Sequence, residues 1–193
     1  SGTAGTLLYD PLNIQITGGS TDGSDTEAGN SATVLQMAAG NAGEILYGDE
    51  GAGTPDPFLV YESEIENQDA DIILQARNSI TVSGTFNQDT NGEGAGSIVR
   101  LKNNRSLTVE TSNALGEGSG GIDLTGVSVE FQTQGSGSIN IAAGTDGGDA
   151  GSAPIVVGKL TTSGSGSVDL DAEGTIAIND AIVTDGTVDI DST

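Results

Sequence analysis

Apolar side chains in this chain come in short alternating pairs separated by polar corners. In DIILQARNSITV, residues 71–82, Ile72 and Leu74 form one pair and Ile80 and Val82 the next. Successive side chains on a strand point to opposite faces, so period-two alternation predicts two strands, each burying one face. The linking Ala76-Arg77-Asn78-Ser79 is too short for a crossover helix and lacks an Asn-Gly or Asp-Gly hairpin signal. It reads as a corner.

The pattern recurs. SIVRLKNNRSLTV (97–109) and SVDLDAEGTIAI (167–178) align with it so that Ile72, Val99 and Val168 coincide, then Leu74, Leu101 and Leu170. Past the corner, Ile80, Leu107 and Ile176 coincide, as do Val82, Val109 and Ile178. Weaker copies are GGIDLTGVSVEF (120–131), GSINIAAG (137–144) and GTVDIDST (186–193), with Gly, Ser, Asn and Asp filling the gaps as turn formers. Two strands with one apolar face are marginal alone, whereas stacked coils would pair in parallel and gather Ile, Leu and Val into inward columns. The predicted fold is therefore all-β: a parallel β-helix, or β-solenoid, with irregular N-terminal loops. Ala76, Ala143 and Ala172 are expected at tight corners. An antiparallel sandwich is the alternative; scarce hairpin signals count against it.

The division expected along the chain is 1–69, N-terminal coils with acidic and Pro-containing insertions, and 70–193, repetitive coils of one continuous domain. GTLLYDPLNIQIT (5–17) alternates at Leu12, Ile14 and Ile16; residues 18–31 are polar and acidic; GDEGAGTPDP (48–57) is a loop. SATVLQMAAGNAGEILYG is read as strands, since Gly40 and Gly43 would weaken a helix.

Charge complicates this picture. The formal net charge is −23, from 28 acidic against 5 basic residues, and Leu, Ile, Val and Phe make up roughly 23% of the chain. That is just above the level of about 20% expected of a disordered, highly charged chain. Clustering of the apolar residues argues for a fold. Such acidity argues against nucleic acid and anionic membrane surfaces as partners, because a phosphate backbone requires clustered Lys and Arg. Arg77, Arg100, Lys102 and Arg105 read as local charge relief among acidic neighbours. No apolar run is long enough for membrane insertion, and Ser1 opens no signal peptide, which a secreted chain loses on processing. The absence of both Cys and His removes disulfides, most zinc sites and the usual nucleophile–base pairs.

Three stretches resemble filamentous haemagglutinin-type exoproteins of two-partner secretion, of the cyanobacterial type. GTLLYDPLNIQI is similar to a G-T-L-x-x-D-P segment near the end of the secretion domain, YESEIENQDADIILQARNSITV to the first coils after it, and the later repeats to the passenger. The resemblance implies a right-handed parallel β-helix, export to the bacterial cell surface or beyond, and a role in adhesion or surface architecture. The secretion domain's upstream motifs are missing here.

Candidate chemistry is sparse. GEGSGG (116–121) satisfies G-x-G-x-x-G, but a strand follows where a dinucleotide site needs a helix, so it reads as a turn. Asn104-Arg105-Ser106 matches a glycosylation sequon and is likewise read as a turn. The Asp-rich loops at 20–30 and 144–151 match neither an EF-hand nor a calcium-binding nonapeptide repeat. Asp169 and Asp171 with Asp189 and Asp191 are the candidate Ca²⁺ ligands, because outward residues of neighbouring coils would stack about 4.8 Å apart. Carboxylates on one face also admit a polysaccharide-processing β-helix, although three Phe, three Tyr and no Trp offer few sugar platforms. The expected function is a non-enzymatic structural or adhesive segment of a secreted surface or filament protein. The alternatives are that enzyme and a calcium-dependent surface-layer module. Expected partners are further copies stacked end to end, neighbouring coils of a longer chain, or surface glycans of a host or cell. GTVDIDST is expected to be a bare terminal strand with no cap after it.

Overall fold

The computed structural model describes residues 12–18, 44–45, 57–67, 69–84, 86, 98–112, 121–126, 129–145 and 153–193. Its strands start with β1 (Asn13–Thr17), β2 (Glu44–Ile45) and β3 (Phe58–Tyr61), followed by a short helix, α1 (Glu62–Asn67). Regular coils follow. The first runs through β4 (Ile72–Ala76), β5 (Ser79–Ser83) and β6 (Ile98–Arg100), the second through β7 (Leu107–Thr111), β8 (Ile122–Leu124) and β9 (Glu130–Thr133). The third comprises β10 (Ile139–Ala143), β11 (Ile155–Val157) and β12 (Lys159–Thr162). The last comprises β13 (Val168–Ala172), β14 (Ile176–Ile178) and β15 (Ile182–Val183), with β16 (Val188–Ser192) beginning another turn.

Every pairing among these strands is parallel. They form three sheets: β3-β1-β5-β8-β11-β14, then β2-β4-β7-β10-β13-β16, then β6-β9-β12-β15. Each full coil contributes one strand to each sheet, which makes a three-sided parallel β-helix. Its core is a set of apolar columns. On the second sheet Ile72, Leu107, Ile139 and Val168 stack in register and are fully buried, as are Leu74, Val109, Ile141 and Leu170. Phe131 fills the third side between Val99 and Leu160. Burying each such side chain stabilises by roughly 1.5–3 kcal/mol, a gain that one coil alone could not realise. Ala76, Ala143 and Ala172 end their strands in one inward column, with Thr111 between the first two.

Coil length varies, while the second-sheet strands β4, β7, β10, β13 and β16 all keep five residues. Equivalent corner positions lie 35, 32 and then 29 residues apart. This irregular spacing leads the simple repeat alignment astray at one copy. Residues 71–82 span β4 and β5, and 167–178 span β13 and β14, so those two copies correspond through matching columns. Residues 97–109 instead span β6 and β7 and lie one side out of phase: Val99 pairs with Phe131 on the third sheet, and Leu107, not Val99, continues the Ile72 column. Val99 and Leu101 are inward as expected, but on the wrong side for the alignment. The physical cause is that the third-to-second corner carries the same six-residue step as the second-to-first corner, so spacing alone does not distinguish them.

At the N-terminal end strand order departs from sequence order: β1 lies between β3 and β5. Asn13 holds it there, its Oδ1 accepting from Asn78 Nδ2 (2.7 Å) and Ser79 Oγ (2.6 Å) at the β4–β5 corner. The helix α1 was not foreseen. It packs against β6, the first strand of the third sheet, and Glu66 Oε1 accepts the Arg100 backbone N–H at 2.9 Å. A carboxylate thus stands where the carbonyl of another strand would be. Of the segment 31–48, only Glu44–Ile45 is described, as a strand.

Candidate functional site

The acidic ladder lies on the outer face of the second sheet, at its C-terminal side. In β13 the sequence Val-Asp-Leu-Asp-Ala buries Val168, Leu170 and Ala172, which turns Asp169 and Asp171 outward. Pairing of β13 with β16 sets Asp169 opposite Asp189 and Asp171 opposite Asp191. The four carboxylates are therefore brought onto one face as two facing pairs, all exposed. Among the described residues, no group of three or more Asp, Glu, His or Cys is placed to hold a metal ion. The GEGSGG turn, apart from Gly121, and the loop at 20–30 lie outside the described residues, as does most of 144–151.

Among the described residues, no basic side chain is paired with these four carboxylates. Partial burial, then the neighbouring Asp189, then Asp171, hold the Asp169 carboxyl above the usual carboxylate range. Towards the N-terminal side the same column becomes neutral, with Asn140 beside Asp169 and Thr108 beside Asn140. Two carboxylates in earlier coils have counter-ions: Glu130 pairs with Lys159 at 2.9 Å and accepts from Thr161 Oγ1, and Asp69 pairs with Arg105 at 3.0 Å. After Lys159 the sequence has no basic residue. Phe58, Phe86, Phe131 and Tyr61 are all buried, so among the described residues no aromatic ring stands beside the ladder. The face can attract cations diffusely, but it offers no enclosed cage.

A second ladder escaped the sequence reading. At the corner from the third sheet to the second, Asp71, Ser106, Ser138 and Ser167 follow one another: Asp71 Oδ1 accepts from Ser106 N–H (3.0 Å), Ser106 Oγ from Ser138 N–H (3.1 Å), and Ser138 Oγ from Ser167 N–H (3.1 Å). In the two later copies of this corner Thr133 and Thr162 donate to the carbonyls of Gly137 and Gly166 from inside it. The signal was present as TQGSGS (133–138) and TSGSGS (162–167).

The last strands of the three sheets are the remaining feature of this side. β14, β15 and β16 are each the last strand of a sheet. Ile178, Val183, Val188 and Ile190 are exposed there, the last two at 46% and 47%. Comparison with family models, with curated proteins and with solved structures finds no match to this chain.

Proposed function

We propose that this chain is a structural or adhesive solenoid segment of a protein exported to the bacterial surface, in the manner of filamentous haemagglutinin-type exoproteins. The observation that carries this reading is the architecture: three parallel sheets run through all the regular coils. Such a body acts as a rigid spacer and offers faces and edges rather than a cleft. Its partners, on this reading, are surface glycans and adjoining solenoid coils, whether of a longer chain or of stacked copies.

The test uses an antiserum raised against the purified chain, applied to intact and lysed producer cells, alongside binding of the chain to immobilised glycans and electron microscopy. Labelling of intact cells, with rods in micrographs or glycan capture, supports the reading. Protein found only after lysis contradicts it.

A further inference from the structure

We propose that β1 is an exchangeable strand, and that the slot between β3 and β5 takes it up from a second copy of this chain as well as from its own. The slot is built by strands that follow β1 in sequence. β3, α1, β4 and β5 run on in order, yet on the first sheet β3 and β5 each pair with β1 rather than with one another. On the second sheet the corresponding step is direct, β2 against β4. β1 is therefore an added layer, set between two coils that are made wholly of later residues.

What holds β1 is the same whether the strand arrives from its own chain or from a copy. Ile14 sits between Phe58 and Ile80, and Ile16 between Val60 and Val82, with both isoleucines fully buried. At the corner the Leu12 carbonyl accepts the Asn78 N–H at 2.8 Å, and the Asn13 side chain ties to Asn78 and Ser79, 65 and 66 residues further on. Both neighbours run parallel to β1, so its main chain is paired on both edges, and a vacated slot leaves two rows of N–H and C=O groups open. Those rows demand a strand. The corner and the two buried columns select one that carries Asn, an aliphatic residue directly after it, and a second aliphatic residue two positions beyond. Each copy of the chain brings that segment. Exchange keeps every one of these contacts and changes only the tether, which is the condition under which identical copies swap an element.

The inference deepens the reading of the chain as a segment that joins copies, and rests on it for its purpose, but its test does not depend on export. A full chain carrying Gln15→Cys and an affinity-tagged full chain carrying Thr81→Cys are mixed as folded proteins and mildly oxidised; the two positions are direct partners across β1 and β5, and the chain has no native cysteine. The expected result is a disulfide between the two chains, with a yield that rises as each goes from about 10 μM to about 1 mM, where a tethered and a free segment compete. At the upper concentration the yield should exceed by roughly tenfold that of a control mixture of Thr108→Cys and Asn140→Cys chains, because these partners on β7 and β10 both lie outside the exchanged strand. A third mixture, Ile14→Cys with Ile80→Cys, places both cysteines inside the core, where contact between the outer faces of two copies does not reach, and it should also link. Adding Ile14→Asp to the Gln15→Cys chain bars its β1 from the core and should abolish the link. Linkage no greater than in the control, or linkage that survives Ile14→Asp, overturns the proposal. So does linkage through the outward pair alone when both inward variants keep the parent's circular dichroism. Failure of exchange leaves the surface reading standing, whereas protein found only after lysis removes that reading and leaves the exchange standing.

Discussion

At the corner between the third and second sheets, single atoms decide what can be substituted. Gly166 lies against the coil before it so closely that an added Cβ would come 2.0 Å from the Gly137 carbonyl oxygen. Gly166→Ala therefore forces backbone apart, and we expect a loss on the order of 1–3 kcal/mol, read as an earlier denaturation midpoint. Two positions earlier Gly164 has φ +70°, and Asn104 takes φ 61° at the equivalent corner, as Asn tolerates better than most residues. Asp169 makes the second residue-scale prediction. Its folded-state carboxyl holds a proton more tightly than the unfolded chain does, so its charge destabilises above the raised value and the cost vanishes below the ordinary carboxylate range. Asp169→Asn should melt higher than the parent at neutral pH, and the two should converge as pH falls into that range. A difference that grows on acidification would contradict this. The inward and outward assignments of these residues were legible because period-two alternation states them directly; the glycine and serine ladders were not, because their meaning lies in contacts between coils.

At the scale of elements, strands were legible and their order was not. β4, β5, β13 and β14 follow from their apolar pairs, and the acidic ladder follows with them, since fixing Val168 and Leu170 inward leaves Asp169 and Asp171 no other face. The side to which β6 and β7 belong depends on corners that share one spacing, so the sequence alone put them out of phase. α1 was hidden for another reason. Glu-Ser-Glu-Ile-Glu-Asn is too short to show helical periodicity, and its role is set by the edge strand it meets. Glu66→Ala leaves the Arg100 N–H without that acceptor at a buried edge, with an expected cost of about 1–3 kcal/mol. Amide exchange at Arg100 should accelerate more than at Val109 in the second sheet. Uniform acceleration would mean that the helix does no specific work at this edge.

For the whole molecule, a stack of coils confronts a net charge of −23, carried without a single basic residue in the last coil. Parallel stacking concentrates outward carboxylates that a looser chain would keep apart, so screening should favour the folded state. The melting temperature is expected to rise as sodium chloride is raised from low to physiological strength. A fall would show that attractive pairs such as Lys159–Glu130 outweigh the repulsion. The composition made this tension visible from the start, as it made the absence of thiol chemistry visible, whereas the placement of β1 between β3 and β5 depends on a long-range tie from Asn13 to Asn78 and Ser79 that no local pattern announces.

The central claim is that successive coils stack in parallel at one fixed register, and the lack of native cysteine allows a direct measurement. Asn140 and Asp169 face outward and are direct partners on neighbouring strands. Adjacent strands place such Cα atoms about 4.8 Å apart, within the span of about 4.4–6.8 Å that a disulfide tolerates. Under mild oxidation the double variant Asn140→Cys/Asp169→Cys is predicted to form an intramolecular disulfide, while Thr108→Cys/Asp169→Cys, two coils apart, is predicted to remain reduced. Bridging of the second pair but not the first, or bridges formed only between chains, would contradict the stacked-coil account.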